Sequence, residues 1–511
     1  MKHLVTCLLA ATLVACVGQR PNAPTAAAVI PPASWRGQGA SDAEELTTAW
    51  WQSFGDSTLS AIVERALANN VDIAIATTRV EAARAQFRLA RGQLLPSIAL
   101  GAGAKRDRSL DPFGYPQLET AEEGEVGISY DLDLFGRLRN ASESARASLL
   151  ATQAARDNVL LAVASSAATG YIGLRALDAR LAVVRDTVAA RADSLKIVQR
   201  RAQTGYATRL ELDQAEAELK GTEALVPAVE LAIARQESGL SILLGNNPYA
   251  IERGVALAAF KRPPVPKLLP AEILRRRPDI TEAEQRIVAS DRSLDVARAA
   301  FMPDIRLGVS GGFVNSTLIP DPAGVFSLGG SILAPIYEGG RLRAGADAAA
   351  ARRDEAAYQY RKIALNAFRE VEDALAAVQR TRDQEQVLQE QRIALARTLV
   401  QASKRYSAGY SSYLEQLDAE RGLLSADLSL VQAGSDSLAA TISLYQALGG
   451  GWSQDRMSDA AAKLMPNQVS IAQIRSSGNH PAKSSCRSVH RCVLGTPYTF
   501  VYGGGETSGA S

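Results

Sequence analysis

The segment DLFGRLR, residues 133–139, returns almost unchanged as YEGGRLR at residues 337–343. The similarity extends beyond these seven positions, because five pairs of landmarks keep the same order along the chain. Their separation is 207 residues for the first two pairs and 204 residues for the others: Asp72 and Asp279, Pro96 and Pro303, Gly136 and Gly340, Gly205 and Gly409, Gly245 and Gly449. This conserved order predicts that the chain is a tandem duplication.

Each half of the chain has the same predicted order of elements. A helix ends near a proline, two strands follow, and two long helices are joined by a turn centred on glycine. No proline lies between Pro116 and Pro227, or between Pro335 and Pro466. Helices in these stretches can therefore run without a break.

An apolar seam runs through the predicted helices in steps of three and four residues. Ten of twelve such positions over residues 160–198 are apolar, as are eight of ten over residues 414–445. The exceptions are Gly170, Arg191, Arg421 and Ser435. A helix over about residues 140–200 would be ~90 Å long at ~1.5 Å per residue, so its seam must be covered by other helices.

The predicted strands alternate between apolar and polar residues. EVGISYDLDLF, residues 125–135, and PDIRLGVSGGF, residues 303–313, each place apolar side chains on one face; their partner strands are expected at about 95–106 and 325–336. This pattern suits a membrane barrel, and a soluble hairpin with one wet face is the alternative. Four strands cannot close a barrel, and open edges cannot lie in lipid, so several chains would have to share one barrel.

The N-terminus has the pattern of a bacterial lipoprotein signal. A short apolar stretch ends in Leu-Val-Ala followed by Cys16, which would become the first mature residue and take a lipid. An ordinary signal peptide with a chance cysteine is the alternative. No aspartate follows Cys16, which favours the outer membrane, and residues 19–40 are predicted to form a tether. We expect no transmembrane helix, because no later segment has ~20 consecutive apolar residues.

Composition argues against catalysis and nucleic-acid binding. Residues 17–479 contain neither histidine nor cysteine, which removes imidazole bases, thiolate nucleophiles and the common nitrogen and sulfur metal ligands. The 56 basic and 54 acidic residues of the 511-residue chain are mixed along its length. We therefore expect no enzyme activity, no cofactor or metal, and no nucleic-acid partner.

Together these features resemble the outer membrane factor family of TolC-like exit ducts, most closely its OprM-like or NodT-like lipoprotein branch. The resemblance covers about residues 41–452. The motifs that carry it are WWQSFGDSTLSAIVERALANN (50–70), QLLPSIAL (93–100), YDLDLFGRLR (130–139), LRRRPDITEAEQRI (274–287), PIYEGGRLRA (335–344) and LYQALGGGW (444–452).

The resemblance implies a mixed α+β fold and a homotrimer. Each protomer would give four transmembrane strands to one 12-stranded barrel in the outer-membrane lipid, and its long helices would form a coiled-coil tunnel through the periplasm. The tunnel tip would meet a periplasmic adaptor protein connected to an inner-membrane pump. The implied function is a passive exit duct for small-molecule efflux. The alternatives are a type I protein-secretion duct and a structural coiled-coil lipoprotein without a channel.

The resemblance also assigns roles to residues at three levels of the duct. It implies strand-to-helix junctions at Gly136, Arg137, Gly340 and Arg341. It implies tips that contact the adaptor at Gly205, Tyr206, Gly409 and Tyr410. It implies an acidic aperture at Glu415 and Asp418, with Glu211 and Asp213 as further candidates. The best-known member of the family has aspartate at the position of Glu415, so the diameter of the acidic ring can differ here.

The predicted domain division follows the repeat. The signal peptide occupies 1–15, the lipidated tether and equatorial segment 16–58, the first repeat 59–247, an equatorial linker 248–273, the second repeat 274–452, and a C-terminal extension 453–511. The strand pairs are expected over about 95–135 and 304–336, and the helical hairpins over about 137–247 and 341–450. The extension is predicted to be disordered, with a disulfide between Cys486 and Cys492, or a metal site that adds His490, as alternatives.

Overall fold

The computed structural model describes residues 20–36, 47–110, 112–265 and 269–451. The helices, in chain order, are α1 Ser57–Asn69, α2 Val71–Gly92, α3 Arg137–Gln203, α4 Arg209–Glu223, α5 Leu225–Leu243, α6 Pro270–Arg276, α7 Pro278–Ala299, α8 Arg341–Ser407 and α9 Tyr413–Ala447. The strands are β1 Ser97–Leu110, β2 Pro116–Leu132, β3 Asp304–Ser316 and β4 Ala323–Leu333. Short 3₁₀ turns occur at Thr25–Ala27, Trp50–Phe54 and Leu257–Ala259.

Two helices of 67 residues each, α3 and α8, run the length of the helical region. At ~1.5 Å per residue each is about 100 Å long, which confirms the predicted long helices and slightly exceeds the expected length. Near the strands the helices contact one another in the order α2, α3, α7, α8. Near the hairpin turns the order is α4, α3, α9, α8, so α3 and α8 change partners along their length.

The second arm of the first hairpin is broken, unlike its counterpart in the second half. Helix α4 ends at Glu223 and α5 begins at Leu225, whereas α9 continues without interruption for 35 residues. Pro227 explains the break, because it has no N–H to donate to the carbonyl of Glu223, four residues earlier. The prediction of one long helix in this position was wrong.

The main core lies at the middle of the two long helices. It is built from large buried side chains of the 3₁₀ turn Trp50–Phe54, α1, α3, α8 and α9, including Trp50, Phe54, Tyr171 and Tyr445. The indole ring of Trp50 is stacked on the phenol ring of Tyr445, with the ring centroids 5.6 Å apart. This cluster joins elements from both halves of the chain, so neither half forms its core alone.

The four strands form one antiparallel sheet in the order β1-β2-β3-β4. Val126 lies opposite Gly311 and Ile128 opposite Val309, which places the predicted apolar residues of β2 and β3 on one face. On β1 and β4 the same face carries highly exposed side chains: Ile98, Leu100, Phe326, Leu328 and Ile332. The predicted strands are confirmed with shifted ends, since β1 extends to Leu110 and β4 ends at Leu333.

The part of the predicted tether that the structure describes, residues 20–36, lies against α7 and α8. Arg20 forms an ion pair with Asp291 at 2.7 Å, and Arg353 donates to the carbonyl oxygens of Pro21 and Asn22 at 2.6 and 2.9 Å. This segment is therefore docked on the helices and not a free linker. Cys16 lies outside the described residues.

By length and composition, α3 could cross a membrane. It contains an 18-residue window with a mean hydropathy of 1.4, and 56% of that window is buried inside the protein. A core helix passes the same test, so this is weak evidence for a membrane span.

Candidate functional site: the strand-to-helix junctions and the hairpin tips

At the first strand-to-helix junction the chain bends at Gly136 and is capped by Asp133. Gly136 has a φ of 74°, a left-handed conformation that favours glycine. The carboxylate of Asp133 accepts hydrogen bonds from the backbone N–H groups of Leu138 at 3.0 Å and Arg139 at 2.8 Å. The first turn of α3 therefore has acceptors for two of its free donors, and the acid lies at the positive end of the helix dipole.

The second junction has the same bend without the same cap. Gly340 has a φ of 83°, but the position equivalent to Asp133 is Tyr337, which has no carboxylate to accept hydrogen bonds from the first turn of α8. Arg341 instead forms an ion pair with Glu338 at 2.5 Å. Arg137, the equivalent of Arg341, lies 3.7 Å from Asp304 at the start of β3. The structure thus places all four predicted junction residues at strand-to-helix bends.

The two hairpin tips are glycine turns that each present one tyrosine to solvent. Gly205 and Gly409 have φ values of 81° and 82°, which explains the glycine at each turn. Tyr206 and Tyr410 follow them and are each 80% exposed. Large exposed aromatic side chains at equivalent positions are suited to contact another protein.

The acids after the second turn lie on the exposed side of α9. Glu415 is in its first turn, with a carboxylate oxygen 3.2 Å from Nε of Arg405 on α8. Asp418 is three residues later and also exposed, so the two carboxylates share one face of the helix.

The acids after the first turn have local structural partners. Glu211 and Thr208 form a reciprocal capping box. The Glu211 carboxylate accepts from the backbone N–H of Thr208 at 2.9 Å, and the backbone N–H of Glu211 donates to the Thr208 hydroxyl. Asp213 pairs with Arg209 at 3.0 Å on the exposed surface. The Glu211 carboxylate is thus engaged at the beginning of α4. Of the predicted aperture acids, Glu415 and Asp418 are therefore the pair better placed to form an acidic ring.

Just behind the turns a second core joins the two hairpins. It contains Tyr406, Tyr413 and Leu417 from the second hairpin and Leu195 and Val198 from α3. Burial raises the pKa of Tyr413 to about 12, with a further increase from the nearby carboxylate of Glu420. Burial, followed by the charge of Glu211, likewise raises the pKa of Tyr406.

Sequence reasoning missed a buried charge beside this second core. Arg191 is 6% exposed and pairs with Glu218 of α4 at 3.0 Å. The available signal was its position, because Arg191 is one of the exceptions in the apolar seam of α3. The seam of α9 was partly wrong near the turn, since Leu414 and Arg421 are exposed while Tyr413 and Gln416, outside the seam, are buried. Leu417 is buried as the seam predicted.

Comparison with known proteins identifies the class. Residues 62–246 and 269–450 match the family described as outer membrane efflux protein. The chain is 34% identical over 468 residues to the pyoverdine export outer membrane protein OpmQ of Pseudomonas putida, covering 89% of this chain and 98% of OpmQ. The chain therefore belongs to the outer membrane efflux protein family and is located in the outer membrane.

Solved channel structures have the same fold. The outer-membrane channel OprN superposes with a TM-score of 0.78 at 27% identity, over 85% of this chain and 99% of OprN. The open state of the Neisseria gonorrhoeae MtrE outer membrane channel superposes with a TM-score of 0.76 at 27% identity, over 86% of this chain and 98% of MtrE. The family is one of channels, and within the described ranges no group of three or more His, Cys, Asp or Glu side chains could hold a metal ion.

Proposed function

We propose that three copies of this chain assemble into one duct, with a shared 12-stranded barrel in the outer membrane. The observation that carries this proposal is the open four-stranded sheet with an exposed apolar face. Such a sheet cannot lie in lipid with free edges, and pairing β4 of one copy with β1 of the next removes them. The repeated junctions and hairpins support a tandem duplication, so three chains would make a tunnel of six similar units.

The duct conducts passively, and its cargo is small molecules delivered by an inner-membrane pump through a periplasmic adaptor. The inward face of the sheet supports this, because it carries mainly small or polar residues: Ser97, Gly101, Gly127, Ser129, Gly308, Ser310, Ser327 and Gly329. Charged side chains share this face, among them Glu123, Glu125, Asp131 and Arg306, so a lumen lined in this way is polar and suited to hydrated solutes. Family membership and the efflux function of the family support the same assignment.

The adaptor contacts the hairpin tips through Tyr206 and Tyr410, beside the glycines that shape each turn. The exposure of both rings supports this assignment. Lipidation of Cys16 would anchor the N-terminus to the outer membrane. The docked segment that begins at Arg20, four residues later, supports an anchor near the sheet end of the molecule.

Glu415 and Asp418 form the aperture. Three copies would bring six carboxylates together at the axis, where they bind cations and hold the constriction narrow. Their shared exposed face near the turn supports this role.

Planar-bilayer conductance tests the proposal, comparing the wild type with Glu415→Ala/Asp418→Ala. We expect small, cation-selective wild-type currents that increase several-fold in the double variant. Glu216→Ala, an exposed acid on α4, is the matched control and should behave as wild type. Unchanged currents in the double variant would keep the duct but place its gate elsewhere. Absence of any channel from intact trimers would refute the conduit.

A further inference from the structure

Both arginines that interrupt the apolar seams converge on one carboxylate. Arg191 of α3 lies 3.0 Å from Oε2 of Glu218 on α4. Arg421 of α9 donates from Nε to Oε1 of the same carboxylate at 2.8 Å, and its Nη2 forms a second contact. Glu218 therefore joins three helices and links the first hairpin to the second.

The contact with Arg191 is buried and well connected. The guanidinium also donates to the backbone carbonyl of Glu218 at 3.0 Å and to the hydroxyl of Thr222, and the Glu218 side chain is only 17% exposed. Arginine does not lose its proton in proteins, so this buried charge requires the carboxylate. Glu218 is thereby held in place, with one oxygen left to bind α9.

The contact with Arg421 acts on the aperture helix. Arg421 is three residues after Asp418 and six after Glu415, just over two turns after the beginning of α9. The hydrogen bond that Arg421 donates to Glu218 is the largest cause that raises the pKa of Arg421, with smaller effects of the charges of Glu218 and Asp418. A second link runs from Gln416 of α9 to the hydroxyl of Ser194 on α3 at 3.0 Å. Both links resist movement of α9 away from α3 and α4.

We propose that Glu218 is a positioning residue for the aperture. By holding Arg421, it keeps α9 against the first hairpin and thereby keeps Glu415 and Asp418 at the axis in the closed duct. Opening then requires the pair between Glu218 and Arg421 to separate, while the buried pair between Glu218 and Arg191 remains. This inference rests on the proposed conduit.

Conductance of Glu218→Gln in purified trimers tests the inference. The amide keeps the size of the side chain but loses its charge, so the open fraction should rise roughly tenfold, as expected when a charge-assisted hydrogen bond is lost. Glu216→Gln, two residues away and exposed, is the matched control and should conduct as wild type. Currents of Glu218→Gln equal to those of wild type would overturn the proposal.

A second variant separates positioning from folding. Arg421→Gln removes the same contact from an arginine side chain that is 53% exposed, so it should raise conductance without loss of trimers. The double variant Glu218→Gln/Arg421→Gln should conduct no more than Glu218→Gln alone, because Arg421→Gln then removes a partner from a contact that is already broken. Additive effects would overturn the proposal.

Block of the current by added Mg²⁺ is a further test, because a purely structural role of Glu218 would leave this block unchanged. If Glu218 positions the acids, Mg²⁺ should block Glu218→Gln channels more weakly, because the carboxylates have moved apart. Unchanged Mg²⁺ block would count against the inference. Increased currents in Glu415→Ala/Asp418→Ala with normal currents in Glu218→Gln would refute only the role of Glu218, whereas absence of wild-type channels would refute the conduit itself.

Discussion

The two helical hairpins have the same backbone plan but are joined by different chemistry. In the first, Arg191 and Glu218 form a buried ion pair. At the equivalent positions 204 residues later, the second hairpin has Leu395 and Gly422. A Cβ added to Gly422 would lie 3.4 Å from the Leu395 side chain, so this site is a close apolar contact. The second hairpin, which carries Glu415 and Asp418, thus has no ion pair at this position. Its two arms are joined by a more exposed pair, Arg392 with Asp427 at 2.8 Å, and Arg421 links it to Glu218 of the first hairpin.

The two strand-to-helix junctions differ in the same way. Asp133 caps α3 with two hydrogen bonds, whereas the equivalent residue, Tyr337, is 89% exposed. Both junctions nevertheless bend at a glycine with a left-handed conformation. The backbone geometry is therefore repeated, while the side chains that stabilise it are specific to each half.

The largest expected effect comes from removing the buried arginine of the first hairpin. Arg191→Met should destabilise the tip by about 1.5–3 kcal/mol, the usual value of hydrogen bonds to a charged group, because Glu218 and Thr222 lose the guanidinium while Glu218 keeps Arg421. Hydrogen exchange of α4 backbone amides in the purified protein would measure it. Leu395→Met, at the equivalent position, should cost less than about 1.5 kcal/mol. Equal effects at the two positions would mean that the hairpins are energetically equivalent after all.

A smaller effect is expected from the junction cap. Asp133→Ala should lower stability by about 1 kcal/mol, the usual cost of losing a helix cap. Tyr337→Ala at the second junction should leave the melting temperature nearly unchanged, because the side chain is exposed. Thermal denaturation of both variants, followed by circular dichroism, measures the difference. A larger loss from Tyr337→Ala would show that the second junction is stabilised by contacts made in the assembly.

At neutral pH the smallest effect is expected from the titration of the second hairpin, because its buried tyrosine loses a proton only at alkaline pH. The pKa of Tyr413 is raised to about 12 from an ordinary value of 10.0, so the folded state keeps its proton after the unfolded state has lost it. The resulting stability is fully present below pH ~10 and is lost as the pH rises towards ~12.

The variant Tyr413→Phe should therefore lose less stability between these pH values than the wild type, measured by melting temperature at several pH values. The equivalent residue of the first hairpin is Arg209, so the first hairpin has no tyrosine at this position. An identical alkaline loss in Tyr413→Phe would assign the titration to another group, with Tyr406 as the nearest alternative.

Much of the fold could be predicted from the order of residues alone. The duplicated glycines mark the bends and turns, because a left-handed backbone conformation is a local property that favours glycine in any context. The lengths of α3 and α8 follow from the absence of proline and from the apolar seam. The alternation of β2 and β3 indicated the exposed apolar face, since successive side chains of a strand point to opposite faces.

The break between α4 and α5, and the buried face of α9 near the hairpin turn, were less predictable. Pro227 was visible in the sequence, but its effect depended on where the helix began relative to it. By spacing, Leu414 and Arg421 lie on the same face of α9 as the apolar seam. Near the tip, however, α9 turns a different face towards α3. Which face is buried depends on the neighbouring helix, and the spacing of residues within one helix does not specify it.

The repeated plan, the positions of its bends and the identity of its acids can be read from the order of residues, because they depend on local backbone preference and residue type. The meeting of Arg191 and Arg421, from opposite halves of the chain, at Glu218 follows from the three-dimensional fold alone. That convergence depends on how three helices pack side by side, and residues 27 to 230 positions apart carry no local signal of it. The engagement of Glu211 in a helix cap, in contrast, is a local feature, because Thr208 and Glu211 are three residues apart and form a capping box within one turn.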